Sequence, residues 1–370
     1  MLLNITVLPG DGIGPEVTAE AVRVLESVAK TFGHKLSFTY KPVGGAGVQN
    51  SNDPLPADTL EACVNSDAVL LGAVGGPAFD ALPANLRPES GLLSLRSGLK
   101  AFANLRPAVC LPGLENCSPL RNEVVRGADV LIVRELLGGI YFGKPRSTQG
   151  AKGDRCAVDT MCYRESEIER IAHIAFELAR SRRRQVTSVD KANVLDCSRL
   201  WRDVVTRVAV QYSDVELRHM YVDSAAMALV SRPTSFDVLL TENMFGDILS
   251  DQAGAIVGSI GMLGSASLGG RVGLYEPVHG SAPDIAGKEI ANPLGAIFST
   301  SMMLRYSFKL PNEADCIERS VRSVLADGYR SADIAGDSCS VLGTAEMGAR
   351  VAAQVEQEAA MRETLAARYP

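Results

Sequence analysis

Thr241-Glu242-Asn243-Met244-Phe245-Gly246-Asp247-Ile248-Leu249-Ser250-Asp251 is the stretch from which the rest of the chain can be read. Phe236-Asp237-Val238-Leu239-Leu240 before it has the apolar density of a buried strand. After Gly246 the apolar residues, Ile248 and Leu249 among them, return at helical spacing, which predicts a helix. Asp247 and Asp251 then stand one turn apart, about 6 Å along the axis and on one face. Two carboxylates just past a strand end can share a hard divalent cation. They can equally be a solvated acidic face, which is the simpler account while the pair is taken alone.

The bulk of the sequence narrows the function classes. At 370 residues with 46% hydrophobic content, the chain can fill one large α/β unit or two domains. Its net charge of −6 and lack of a basic face argue against nucleic acid as a partner. The cluster Arg180, Arg182, Arg183 and Arg184 is expected to close a helix, where cations favour the macrodipole. The eight cysteines show no metal-site spacing and only four histidines are present, so free thiols in a reducing compartment are expected. Met1-Leu2-Leu3-Asn4 runs straight into a strand without a signal peptide, and the Gly- and Ser-rich stretch 252–270 does not read as a membrane span. The expected location is cytoplasmic, or organellar where a transit peptide has been removed.

The chain opens with strand Ile5–Leu8, the loop Pro9-Gly10-Asp11-Gly12-Ile13-Gly14, and a helix from Pro15, a residue suited to the first helical position. A Rossmann fingerprint fails here, because its last glycine would fall on Pro15. The loop remains a candidate anion cradle at a helix N-terminus. A second glycine turn, residues 72–77, follows strand Ala68–Leu71, and Glu89–Arg96 begins a helix with Leu92 and Leu93 beside a cation. Arg96, Arg106 and Arg134 all lie near element ends, and three guanidinium groups so placed suggest a carboxylate clamp. Residues 139–162 read as an extended excursion with the makings of a hairpin arm, before a helix over 165–180.

Three strand–helix modules follow. Val186–Val189 ends in Asp190-Lys191-Ala192-Asn193, His219–Val222 ends in Asp223, and the opening strand leads to Asp247 and Asp251. Open α/β sheets bind ligands beyond the carboxyl ends of their strands. Repetition of charged groups at three such ends favours an active site over a solvated pair. Further on, Glu276-Pro277-Val278-His279-Gly280-Ser281-Ala282-Pro283-Asp284-Ile285-Ala286-Gly287 is not a P-loop, having Ala282 and Glu289 at two required positions. His279 reads as a structural or ligand-stacking group, and Asn292-Pro293 as the cap of a helix bearing Leu294, Ile297 and Met302. Two helices near 312–326 and 344–360 close the chain.

Taken in order, LPGDGIGPEV (8–17), GLLSLR (91–96), FANLRPA (102–108), VRELLGGIYFG (133–143), DKANVL (190–195), MYVDSAAM (220–227), NMFGDILSDQ (243–252) and EPVHGSAPDIAGKEIANP (276–293) resemble the isopropylmalate/isocitrate β-decarboxylating dehydrogenases. That family also holds tartrate and homoisocitrate enzymes, and the resemblance runs almost end to end. It implies an α/β fold of two domains with a non-Rossmann dinucleotide site. The implied cofactor-binding domain is residues 1–101 plus 258–370. The implied substrate, metal and dimerisation domain is 102–257, with an exchanged arm near 139–162. It further implies a homodimer with shared active sites, to which Lys191, Asn193 and Asp223 reach across.

The resemblance also implies roles. Asp223, Asp247 and Asp251 would hold Mg²⁺ or Mn²⁺, with Asp223 and Asn193 also lining the substrate site. Arg96, Arg106 and Arg134 would grip substrate carboxylates, Lys191 would take the hydroxyl proton, and Tyr141 would protonate the enolate after decarboxylation. Glu89, His279, Gly280, Ser281, Ala282, Asp284, Ile285 and Asn292 would contact NAD, with Asp284 on the ribose disfavouring a 2′-phosphate. Leu92, Leu93 and Val194 would form an apolar pocket suited to the isopropyl group of 3-isopropylmalate, while Glu89 would repel the third carboxylate of isocitrate. Apolar pockets separate alkyl groups by only about 1–3 kcal/mol per methylene. Methylthioalkylmalate, tartrate or homoisocitrate therefore stand as alternative substrates. A non-catalytic regulatory subunit is the alternative from another class. Glu242, Gln252 and Gly264 depart from the usual family pattern.

Overall fold

The computed structural model describes residues 1–337 and 339–368. Its strands in chain order are β1 (Leu2–Gly10), β2 (Lys35–Tyr40), β3 (Ala68–Ala73), β4 (Ala103–Val109) and β5 (Asp129–Glu135). They continue with β6 (Ser147–Gln149), β7 (Cys156–Val158), β8 (Gln185–Asp190), β9 (Glu216–Tyr221) and β10 (Val238–Thr241). The last two of length are β11 (Gly264–Leu268) and β12 (Gly273–Pro277). The chain folds as two compact units: residues 1–101, 111–119 and 258–370 form one, and 102–110 with 120–257 the other. The short segment 111–119, assigned above to the middle of the chain, packs with the first unit.

In the first unit the strand order is β2-β1-β3-β12-β11, parallel except for the β11–β12 pair. Its core gathers Leu8, Val69, Leu71, Leu95, Leu99 and Leu274. Such burial is the main stabilising term, at about 25 cal/mol per Å² of apolar surface removed from water. Helix Gly14–Phe32 starts with proline in its first turn and ends at Gly33, whose φ of 72° needs no Cβ to be accommodated. Helix Leu294–Tyr306 is buried along most of its length. It tolerates Ser299 and Thr300 because their hydroxyls donate back to the carbonyls of Gly295 (2.9 Å) and Ile297 (2.7 Å).

Strands β11 and β12 fall partly in a stretch whose Gly and Ser content conceals them from sequence reading. Gly264 opens β11 where a Cβ would stand 2.7 Å from the Ser299 backbone nitrogen, so smallness is the requirement. Ser265 stays buried by donating to the carbonyl of Glu276 at 2.9 Å. Packing, not β-propensity, makes the strand.

In the second unit the order is β4-β5-β10-β8-β9, with β4 antiparallel to β5 and the other neighbours parallel. The register pairs Thr241 of β10 with Arg134 of β5 and with Val189 of β8, and Asp190 of β8 with Tyr221 of β9. One carboxyl edge thus carries Arg134, Lys191, Asp223 and the start of the 243–256 helix. Helices Glu165–Arg180 and Asp196–Ala209 cover the sheet with Ile168, Ile171, Phe176, Trp201 and Val205. Arg182 does more than close a helix: it pairs with Asp129 and Asp237, each at 2.8 Å. The excursion contains a hairpin, β6 against β7, whose residues are mostly exposed. All eight cysteines are free, and among the described residues no helix is long and apolar enough to cross a membrane.

Candidate active site

The carboxylate helix begins at Asn243, earlier than the apolar spacing predicts, and runs to Ile256. The reason is Glu242, whose side chain accepts from the backbone N–H of Phe245 (2.6 Å) and Met244 (3.1 Å) and so caps the first turn. Burial pushes the Glu242 carboxyl above its ordinary range, and these N–H donors pull it back. Gly246 lies within the first turns because a Cβ there would meet Thr241 Oγ1 at 2.3 Å and Arg134 Cγ at 2.7 Å. That clearance lets the arginine lie along the helix.

Asp247 and Asp251 share a face, as the spacing predicts, and the structure fills the space around them with named partners. Arg134 is buried and places Nη1 2.5 Å from Asp247 Oδ1. Arg106 sets Nη1 3.5 Å from Asp247 and 3.2 Å from Asp251, while donating to Ser250 (2.7 Å) and Asn104 (2.7 Å). Tyr141 ends the single turn Gly139–Tyr141 and donates to Asp247 Oδ2 at 3.1 Å. Burial, then the adjacent Asp247 charge, holds the phenol above its ordinary value, so it keeps its proton. Burial likewise raises Asp251 against the opposing pull of Arg106.

Lys191 and Asp223 form a separate pair at the same carboxyl edge, 2.6 Å apart, with Asp223 more than half exposed. The lysine lowers the Asp223 carboxyl by hydrogen bonding. Asn193 and Val194 are exposed on the loop after β8, Val194 at 62%. Among the described residues no three His, Cys, Asp or Glu side chains converge on one point. Asp247 and Asp251 form an all-oxygen pair with solvent access, which fits a hard cation such as Mg²⁺ or Mn²⁺. Two carboxylates are too few to complete such a site, and Asp223 does not join them within the unit.

The first unit carries the other predicted residues. Arg96 is buried on helix Pro88–Gly98 and pairs with Glu276 at 2.7 Å, with Leu92 and Leu93 half-buried on the preceding turn. Arg96 is therefore placed in a different unit from Arg106 and Arg134. In the glycine loop the Asp11 carboxylate accepts from the N–H groups of Gly45 (2.7 Å), Ala46 (2.8 Å) and Gly75 (2.8 Å), tying the loop to two other segments. The same loop docks on the 276–287 segment, the Ile13 N–H donating to the Ser281 carbonyl at 2.8 Å. Glu89 is exposed beside Gly75, where a Cβ would come within 2.7 Å of its carboxylate.

Asp284 is exposed and Ile285 half-buried on a turn in which Ala282 holds a φ of 39° and Gly280 is exposed. His279 Nδ1 lies 2.9 Å from the Gly280 carbonyl, whereas Nε2 is buried without a partner. An orphaned buried nitrogen on a loop that also presents Asp284 fits a nucleotide ligand. Asn292 is spent internally: Oδ1 accepts from Leu294 N–H (2.9 Å) and Nδ2 donates to Asp333 (3.0 Å). Sequence reading gave no role to the residues that hold the site rather than face it: Asn104, Ser250, Glu276, Asn243, and Tyr163, whose hydroxyl accepts from the Asn243 N–H at 2.9 Å. Only Asn243 left a signal, standing one helical turn before Asp247.

The chain as a whole is matched by known proteins. The model of the isocitrate/isopropylmalate dehydrogenase family matches residues 4–351. A 3-isopropylmalate dehydrogenase of Prochlorococcus marinus is 57% identical over 346 residues, covering 93% of this chain and 97% of that protein. One from Aquifex aeolicus is 52% identical over 354 residues, covering 96% and 97%. The crystal structure of isocitrate dehydrogenase from Methylococcus capsulatus superposes with a TM-score of 0.85 at 35% identity, covering 96% of this chain and all of that one. On that breadth of agreement, the chain belongs to the isocitrate/isopropylmalate dehydrogenase family.

Proposed function

We propose that the chain is an enzyme of leucine biosynthesis, oxidatively decarboxylating (2R,3S)-3-isopropylmalate to 4-methyl-2-oxopentanoate and CO₂ with NAD⁺ and Mg²⁺ or Mn²⁺. The observation that carries the substrate choice is one helix: Leu92 and Leu93 precede the buried Arg96 by one turn. A guanidinium for a carboxylate beside two aliphatic side chains suits a malate with an apolar C3 substituent. The close relatives bearing the same activity in their names support this reading.

Arg106 and Arg134 orient substrate carboxylates by charge-assisted hydrogen bonds, and Lys191 accepts the C2 hydroxyl proton. Tyr141, kept protonated beside Asp247, delivers a proton to the enolate carbon after CO₂ leaves. Asp247 and Asp251, with Asp223, hold the divalent cation, which supplies Lewis-acid stabilisation of negative charge on the substrate oxygens. Asp284 and the 279–285 turn hold NAD⁺, and Asp284 disfavours a 2′-phosphate by charge.

The working form is a homodimer in which Lys191, Asn193 and Asp223 serve the opposite subunit. Its support is the isolation of the Lys191–Asp223 pair from Asp247, together with exposed Met227, Val230 and Ile248 on the neighbouring helices 222–231 and 243–256. The exposed hairpin points the same way, since a lone two-stranded hairpin is marginal in water. The test is kcat/KM for 3-isopropylmalate, isocitrate, tartrate and methylthioalkylmalates with each dinucleotide. A preference for isocitrate or for NADP⁺ overturns the assignment.

A further inference from the structure

Asn243 is fully buried in the first turn of the carboxylate helix. Its Oδ1 accepts from Arg134 Nε (3.1 Å) and Nη2 (2.7 Å). Its Nδ2 donates to the carbonyls of Leu136 (3.0 Å) and Gly138 (3.1 Å). The partners fix which way the amide faces, since a guanidinium only donates and a carbonyl only accepts. Every hydrogen-bonding capacity of the side chain is used.

One turn along the same helix, Asp247 meets the far ends of the same two limbs. Its Oδ1 faces Arg134 Nη1 at 2.5 Å and its Oδ2 faces the Tyr141 hydroxyl at 3.1 Å. The segment between the limbs is gripped from both sides. The Leu137 and Gly138 N–H groups donate to Glu135 at 3.0 and 2.7 Å, while Asn243 takes the carbonyls. Gly138 then leads directly into the turn that carries Tyr141. Asn243 and Asp247 are thus two rungs, one neutral and one charged, between an arginine limb and a tyrosine limb.

We propose that Asn243 is a positioning residue whose single amide sets the placement of Tyr141 relative to Arg134, coupling the carboxylate grip to proton delivery. The proposal rests on the roles given to Arg134 and Tyr141 under the proposed function. A neutral amide suits this post because both limbs must be held at once by opposite polarity. Asn243→Asp keeps an acceptor for Arg134 but sets an oxygen against two carbonyls, so it disturbs the tyrosine limb and spares the arginine limb.

The experiment compares wild type, Asn243→Asp, Asn243→Ala and the double variant Asn243→Asp/Tyr141→Phe. Asn243→Asp is expected to lower kcat on 3-isopropylmalate by about tenfold or more, as loss of an interaction made in the transition state does. Its Kd for 3-isopropylmalate, by calorimetry with Mg²⁺ and no NAD⁺, should stay within about threefold, the arginine contact being kept. Asn243→Ala should worsen both. In the Tyr141→Phe background Asn243→Asp should cost less than about threefold more, since residues acting through one another are not additive.

Hydrogen exchange over residues 136–143 should accelerate in Asn243→Asp. Equal kcat losses in the two backgrounds, a loss tracking only the folded fraction, or no loss at all overturns the proposal. If Asn243→Asp does not fold, Asn243→Ser, an acceptor without the amide donors, carries the same prediction. Wild type inactive on 3-isopropylmalate would sink the substrate reading alone, and the 136–143 exchange would still judge Asn243.

Discussion

In the second unit Asp247 receives Arg134, Arg106 and Tyr141, and each of those is held in turn by a further side chain or tight turn. In the first unit the loops proposed for the dinucleotide are joined largely through backbone groups. Asp11 gathers three N–H groups from two other segments, and Ile13 N–H meets the Ser281 carbonyl. On the proposed function, the difference matches what each side would hold. Charge gathered for proton transfer and metal binding needs groups fixed by directional side-chain bonds. A long neutral-and-phosphate ligand needs close approach, which glycines and N–H groups give without occupying space.

The contrast predicts separable damage. Asp247→Asn should reduce metal-dependent kcat/KM by about 10²–10³-fold, as expected where several kcal/mol of Lewis-acid stabilisation is lost. NAD⁺ affinity, read by fluorescence titration, should hardly change, and retained activity would return the pair to a solvated helix face. Gly12→Ala should do the reverse. Gly12 has a φ of 57° and its Cβ would lie 2.0 Å from the Ser281 carbonyl oxygen. A cost of about 1–3 kcal/mol is expected from the overpacking, with weaker NAD⁺ binding and a near-normal metal requirement. Unaltered thermal melting and NAD⁺ affinity would show that the loops are not jointly built.

Asp284→Lys sharpens the backbone side further. Removing the carboxylate and adding a cation should narrow NAD⁺ over NADP⁺ preference by about tenfold, equivalent to 1.4 kcal/mol. The same kcat/KM ratio before and after would remove Asp284 from the ribose site. The smallest effect is expected from Glu242. Burial raises its folded-state pKa, so the folded protein binds the extra proton first, and this group's contribution to stability falls as pH rises through that window. Melting temperatures on the alkaline side of the ordinary carboxyl range should therefore vary less with pH in Glu242→Gln than in wild type.

Sequence made the charged side legible because its chemistry is carried by residue types. Lys191, Asp223 and Asp247 announce themselves at strand ends, and apolar periodicity places the strands between them. The α/β class and family membership followed from motifs in order. What escaped was support that depends on three-dimensional neighbours. Nothing in the spelling of Gly264-Ser265-Ala266-Ser267-Leu268 marks a buried strand, because its stability comes from fitting under helix Leu294–Tyr306. Asp11 gave no sign of its partners, since the N–H groups that surround it come from residues 45, 46 and 75. The start of the carboxylate helix was misplaced because a glutamate caps it, where Ser, Thr, Asp or Asn is the usual signal.

The pairing of β3 with β12 has a consequence for synthesis on the ribosome. Ala68, Val69 and Leu70 pair with Gly273, Leu274 and Tyr275, which emerge some two hundred residues later. At about 5–20 residues per second, this entirely buried apolar strand waits roughly 10–40 s for its neighbour. During that interval it presents an open edge of the kind that recruits other chains. The second unit, which is complete by Val257, can fold before the first has its last strands. A nascent chain of this protein is therefore expected to be most vulnerable to aggregation while its middle is already folded and its beginning is not.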